Sequence, residues 1–303
     1  MPDRRGSVRR RHAALLGGTV SYLEVGQSAP DQPSFVLLHG IPASAELWRG
    51  VLEVLGEAGR HAVAPDLPGY GGTRLPAGVD HGLVGMADVA EALVDHLELE
   101  QVELVGHDLG GGAAQIAAVR NPRRWATLTL SHAVSARLWP PPPMRLVFAA
   151  GARSAPLGGR VVRCTLLASR RALRASFGDG SVLTRAAWHR VFADGKVTDV
   201  GPSGEPGGRA AFDAHVQAVG RAGTSDVTAD VTPRLADLDL PARLVWGTTD
   251  PAQPWKKVGR HLEGLLHGPA VTLLEGASHF APLEQPDGFA AGLLAPAGSG
   301  SGA

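Results

Sequence analysis

The chain has 303 residues, 44% of them apolar, with 29 basic residues balanced by 29 acidic ones. That length buries the core of one large α/β domain, alone or with a smaller lobe, and the zero net charge supplies no global field to attract nucleic acid or a membrane surface. No apolar run approaches the ~20 residues needed to span a bilayer, and the single cysteine, Cys164, excludes an intramolecular disulfide and suits a reducing cytoplasm.

Residues 1–16 are rich in arginine, with only a short apolar patch at 13–16, and read as a disordered basic arm rather than a targeting signal. Apolar, β-branched runs then recur at 19–25, 35–38, 61–65, 102–105, 126–130, 242–246 and 271–274. Helical patterns separate most of them, at 45–58, 83–97, 111–120, 254–266 and 286–294. Strand alternating with helix predicts a mostly parallel sheet with helices on both faces, and in such sheets chemistry gathers beyond the carboxyl ends of the strands. The alternation breaks between 134 and 239, where proline clusters and Ala- and Arg-rich helical stretches replace strands. A structureless loop of that length is improbable in a compact domain, so the interval reads as an inserted helical lid. The expected organisation is therefore a core of 17–133 and 240–296, a lid of 134–239 and a disordered Gly/Ser tail of 297–303.

The run Gly106-His107-Asp108-Leu109-Gly110 ends one predicted strand and opens a helix. A sharp turn of that kind tilts its central residue outward, with small neighbours to avoid collisions. Two further polar residues follow predicted strands, Asp250 in Gly247-Thr248-Thr249-Asp250 and His279 in Ser278-His279-Phe280. The order acidic elbow, acid, histidine, together with His39-Gly40-Ile41-Pro42 after an earlier strand, resembles the epoxide hydrolase and haloalkane dehalogenase branch of the α/β-hydrolases. The resemblance runs from about residue 17 to 294.

It implies an α/β-hydrolase fold with Asp108 as nucleophile, His279 as base and Asp250 as the acid that orients it. Glu275 and Asp239 are outside options for that acid. The backbone N–H groups of Ile41 and Leu109 would form the oxyanion hole. An aspartate suits attack on saturated carbon: at an acyl carbonyl it would form an anhydride, whereas an epoxide or alkyl halide gives an ordinary ester. His279 would then activate the water that hydrolyses this ester.

The leaving group separates the two reactions. Dehalogenases of this pattern carry a tryptophan after the nucleophile and Asn or Glu after the His-Gly pair, where this chain has Leu109 and Ile41. Epoxide hydrolases commonly carry a pair of lid tyrosines, whereas Tyr22 and Tyr70, the two tyrosines here, fall in the core segments. Candidate replacement donors, or substrate contacts, are His132, Trp139, Trp188, His189 and His215, with protonated imidazole the most versatile among them. His39 and His107 flank the site and read as hydrogen-bonding supports for its loops. The expectation is a cofactor-free hydrolase with no metal site, acting on a small-molecule substrate, an organic epoxide. A dehalogenase, a lyase or isomerase using His279, and a non-catalytic small-molecule binding protein are the competing readings.

Overall fold

Strand after strand of this chain is apolar on both faces, as burial beneath two helical layers requires. The computed structural model describes residues 7–138, 149, 152–162, 177–179, 181, 182, 184, 191, 213–218 and 227–298. Within them, β1 (Arg9–Leu15), β2 (Gly18–Val25), β3 (Ser34–Leu38), β4 (Ala62–Pro65), β5 (Val102–His107), β6 (Trp125–Ser131), β7 (Ala242–Gly247) and β8 (Ala270–Leu274) form one sheet. Its order is β1-β2-β4-β3-β5-β6-β7-β8. The pairs β1·β2 and β2·β4 are antiparallel, and every later pair is parallel.

Alternation along β3 shows how the two layers are built. Val36 and Leu38 join a core with Leu104, Leu130 and the buried faces of α2 (Leu83–His96) and α3 (Leu109–Arg120). Phe35 and Leu37 point the other way, into a second core with Val105, Val245, α1 (Arg49–Glu57) and the helix Pro286–Leu294. A side-chain period of two thus divides one strand between two cores. At the amino-terminal end of the parallel strands, Glu103 ties three of them together: its carboxylate accepts from Arg243 at 2.7 Å, Thr127 at 3.1 Å and Arg60 at 2.9 Å.

Within the expected disordered arm, Arg9–Leu15 instead form an edge strand. β1 pairs in register with β2 from Arg9 opposite Glu24 to Leu15 opposite Gly18. Composition misled here because the arginines have local carboxylate partners. Arg10 donates to Asp66 at 2.6 Å, Glu46 at 2.8 Å and Ser21 at 2.7 Å, and Arg11 donates to Glu24 at 3.1 Å. The carboxyl-terminal tail is also ordered further than expected, since the Gly298 N–H donates to the Ala242 carbonyl at 3.1 Å.

Between β6 and β7 the described residues contain no strand and include the helices Ala155–Val162 and Val227–Val231. Trp139, Cys164, Trp188 and His189 lie outside the described residues. No helix among the described residues is long and apolar enough to cross a membrane.

Asp66 is fully buried, so loss of its guanidinium partner leaves its carboxylate only the Ala45 and Gly72 amides as donors. Arg10→Ala is expected to lower the unfolding free energy by about 1–2 kcal/mol, the range for a partly exposed hydrogen bond to a buried charge. Urea denaturation checks this: the midpoint should fall with the slope unchanged. An unmoved midpoint would mean that the strand is not docked.

Candidate active site

Six parallel strands run the same way, so the loops at their carboxyl ends converge above one edge of the sheet. Those after β3, β5, β6, β7 and β8 bring His39 to Ile41, Asp108, His132, Asp250 and His279 to this edge.

Asp108 occupies the turn between β5 and α3 with φ 52° and ψ −116°, a left-handed conformation that costs a non-glycine residue energy. Its backbone is held on several sides. The Asp108 N–H donates to the Ser131 carbonyl at 3.1 Å, and its own carbonyl accepts from Gly111 at 3.0 Å and Val134 at 3.1 Å. The close packing behind the turn demands glycine: a Cβ on Gly110 would lie 2.3 Å from the Leu38 carbonyl oxygen. In front of it, a Cβ on Gly40 would lie 2.4 Å from the Asp108 carboxylate, so the His39-Gly40-Ile41 loop rests directly on that group.

The carboxylate accepts the Ile41 N–H at Oδ2, at 3.0 Å, and the Leu109 amide also favours its charged form. These two amides are the oxyanion-hole candidates that the sequence resemblance implies. Burial pushes the Asp108 carboxyl up to about 6, partly offset by the positive charge of His279 and by the two amides.

His279 pairs with Asp250 through Nδ1 and Oδ2 at 2.8 Å. The other Asp250 oxygen accepts the Ala252 N–H at 2.7 Å, which fixes the carboxylate plane. Burial opposes a charge on either residue, but each stabilises the other: His279 is pushed up to about 9, with Asp108 contributing, and Asp250 is held well below the usual carboxylate range. The resting arrangement is therefore a buried imidazolium between two carboxylates. Glu275 and Asp239, the outside options for the acid, are not the partners of His279.

The remaining histidines behave differently. His39 donates from Nδ1 to the Gly40 carbonyl at 3.0 Å and accepts the Leu67 N–H at Nε2, also at 3.0 Å. His107 donates from Nε2 to the His279 carbonyl at 2.7 Å. Both support loops, as the sequence suggested. Burial lowers His39 to about 4 and His107 well below the ordinary imidazole value.

Two leaving-group candidates are corrected. His132 meets Ser131 Oγ at Nδ1, at 2.8 Å, and accepts the Gly247 N–H at Nε2, at 2.9 Å, with burial lowering it to about 3. A ring so engaged is neutral and has no N–H left for a leaving oxygen. His215 spends its Nδ1–H on the His81 carbonyl at 2.7 Å, and burial lowers it to about 3, which leaves Nε2 an acceptor.

Tyr70 was missed as a neighbour of the site. Its ring lies edge-on to His39 at 5.0 Å and to His215 at 4.7 Å, and after burial the Asp108 charge is the second influence raising its hydroxyl. The available signal was its position in the loop after β4, beside β3 in the sheet. Glu284 is a second omission. It accepts the Ser278 N–H at 2.9 Å and, with its other oxygen, the Gly178 and Asp179 N–H groups at 2.7 and 3.2 Å, while Phe177 stacks on Phe280 at 5.0 Å. Residues of the 134–239 interval thus rest on the loop that carries His279. Among the described residues no group of three His, Cys, Asp or Glu side chains could hold a metal ion.

Known proteins place this geometry in context. A haloalkane dehalogenase of Mesorhizobium japonicum is 34% identical over 116 residues, 38% of this chain and 36% of that protein. A 2-hydroxy-6-oxo-2,4-heptadienoate hydrolase of Pseudomonas putida is 35% identical over 40% of this chain and 43% of its own length, so the chain spans less than half of each of these relatives. Epoxide hydrolase A of Mycobacterium tuberculosis is 28% identical across 95% of this chain and 97% of its own. Among solved structures, the epoxide hydrolase CorEH covers 92% of this chain and 95% of its own at 23% identity, with a TM-score of 0.67. The haloalkane dehalogenase DbeA loop variant from Bradyrhizobium elkanii covers 95% of each chain at 22% identity, with a TM-score of 0.72. Residues 33–286 match the family model of the alpha/beta hydrolase fold, and to that family the chain belongs.

Proposed function

We propose that this hydrolase opens an epoxide to a diol through a covalent ester on Asp108. The carrying observation is the buried Asp108 carboxylate in a strained turn, stabilised by two amides and faced by an imidazolium that a second carboxylate orients. In the first step an Asp108 oxygen attacks an epoxide carbon, the ring C–O bond breaks, and the alkoxide so formed takes a proton from solvent water. In the second, His279 takes a proton from water as its oxygen adds to the Asp108 carboxyl carbon, the amides of Ile41 and Leu109 stabilise the oxyanion, and the ester C–O bond breaks as that proton passes to the departing diol oxygen.

The charges suggest how the base becomes available. At neutral pH His279 carries a proton and cannot accept another, but Asp108 is one of the groups holding that proton in place. Alkylation converts the Asp108 carboxylate into an uncharged ester. His279 then loses this support, its affinity for the proton falls, and the neutral ring needed to activate water becomes accessible.

Epoxide is favoured over halide by the side chains beside the hole. Leu109 and Ile41 are buried and apolar, and offer a departing halide no donor beyond their backbone amides. The epoxide hydrolase of Mycobacterium tuberculosis also aligns over nearly the whole chain, whereas the match to the Mesorhizobium dehalogenase covers 38% of it. Residues 134–239 are read as the lid over a core formed by the preceding and following segments, supported by the contacts of Phe177, Gly178 and His215 with the site loops.

In single turnover in heavy-oxygen water, the label should enter the peptide containing Asp108 before it enters the diol, and Asp108→Asn should remove turnover. Label appearing first in the product would overturn the covalent mechanism. His279→Gln should still alkylate and then accumulate the ester, seen as a mass increase on that same peptide; full turnover by this variant would exclude His279 as base. Bromide release from bromoalkanes without diol formation from epoxides would favour the dehalogenase reading.

The two steps should also respond to pH separately. Alkylation needs ionised Asp108, so its rate should fall as pH drops through about 6. Ester hydrolysis needs neutral His279 and should rise with pH, with a midpoint below the value of about 9 that His279 has while Asp108 is charged. Stopped-flow measurement of the two phases tests this, and a single shared midpoint would contradict it.

A further inference from the structure

His107 is the residue immediately before Asp108, and it is fully buried. Its Nε2–H donates to the main-chain carbonyl of His279 at 2.7 Å, across 172 positions of sequence. Its Nδ1 meets no hydrogen-bond partner among the described residues, so that carbonyl alone selects the Nε2–H tautomer. The ring is wedged among aromatic neighbours, 5.0 Å from His279, 5.6 Å from His132, 6.2 Å from Phe280 and 6.3 Å from Trp48. It has little room to turn.

We infer that His107 is a positioning residue for ester hydrolysis, setting the distance between the carboxyl carbon of Asp108 and the ring of His279. The inference rests on the covalent reading above. Hydrolysis requires one water to reach both the ester carbon and the His279 ring, so their separation must be correct. Asp250 fixes the direction of that ring through Nδ1 but lies on a different loop from the nucleophile. The 2.7 Å bond from His107 supplies the missing link, because it joins the main chain of the base to the residue covalently attached to the nucleophile. Attack by Asp108 makes no use of this link. Ring opening needs the carboxylate and the substrate, whereas the second step needs the carboxyl carbon, water and His279 in register.

Substitution should therefore separate the two steps. Glutamine can place an amide N–H near the position of the imidazole Nε2, while asparagine is too short and leucine has no donor. The full chain and its His107→Gln, His107→Asn and His107→Leu variants are mixed with para-nitrostyrene oxide, and the adduct on the Asp108 peptide is followed by mass in quenched samples. Adduct formation should stay within ~3-fold of wild type in all variants, while its decay slows by roughly 100-fold in the Asn and Leu variants, the scale of an ångström-sized misplacement. The Gln variant should recover most of that loss. Equal slowing of both steps, unchanged decay in the Asn and Leu variants, or no recovery with Gln would overturn the proposal.

A second measurement needs no substrate. With nitrogen-labelled histidine, His279 should titrate alike in wild type and His107→Gln, and about one pH unit lower in the Asn and Leu variants as its carboxylate contacts loosen. Identical titration in all four would reject the positioning role. Absence of any adduct on the wild-type chain, from epoxides or bromoalkanes, would instead reject the covalent reading while the titration still decides the role of His107. Should the Leu variant melt early, the Asn and Gln pair carries both comparisons.

Discussion

A carboxylate buried at the end of a strand must be given donors, or it will take up a proton and lose its charge. Much of the architecture around Asp108 follows from that requirement. The left-handed turn delivers the side chain to the mouth of the sheet, and Ser131, Gly111 and Val134 hold its backbone there. Gly40 permits the neighbouring loop to approach until the Ile41 amide meets the carboxylate. The sheet order then brings β7 and β8 alongside, with an acid and a histidine at their ends.

The histidines divide the electrostatic work. His39, His107 and His132 are fully buried near the carboxylates, yet each hydrogen-bonds to backbone or hydroxyl groups rather than forming a close ion pair, and burial keeps each neutral. His279 differs in having a carboxylate at hydrogen-bond distance. Positive charge is thereby confined to one ring. A second imidazolium at His132, whose Nε2 lies 4.0 Å from Asp250, would compete for the same acid and would give up the Gly247 amide.

The strands, the elbow and the order of Asp108, Asp250 and His279 were legible because each depends on local patterning: apolar runs, a turn between small residues, polar residues just past strand ends. The pairing of His279 with Asp250, seen at 2.8 Å, was an expectation drawn from the family resemblance, with Glu275 and Asp239 as alternatives. What escaped were features created by distant contacts. The donor states of His132 and His215 depend on Gly247 and His81, which no spacing rule connects to them. Tyr70 reached the site because β4 lies beside β3, a matter of sheet order rather than sequence distance. The first strand was hidden by its composition, since an arginine-rich segment reads as solvated until Asp66 and Glu46 are seen opposite it.

That first strand also changes where the site begins. Asp66 receives the Arg10 guanidinium together with the amides of Ala45 and Gly72, so one carboxylate clamps the edge strand to the loop after β3 and the loop after β4. The former loop carries Ile41 and the latter Tyr70. Residues of the edge strand thus buttress the loops of the candidate active site. A shortened chain starting at Gly17 would keep Asp108, Asp250 and His279 and lose part of the scaffold that shapes the space in front of them.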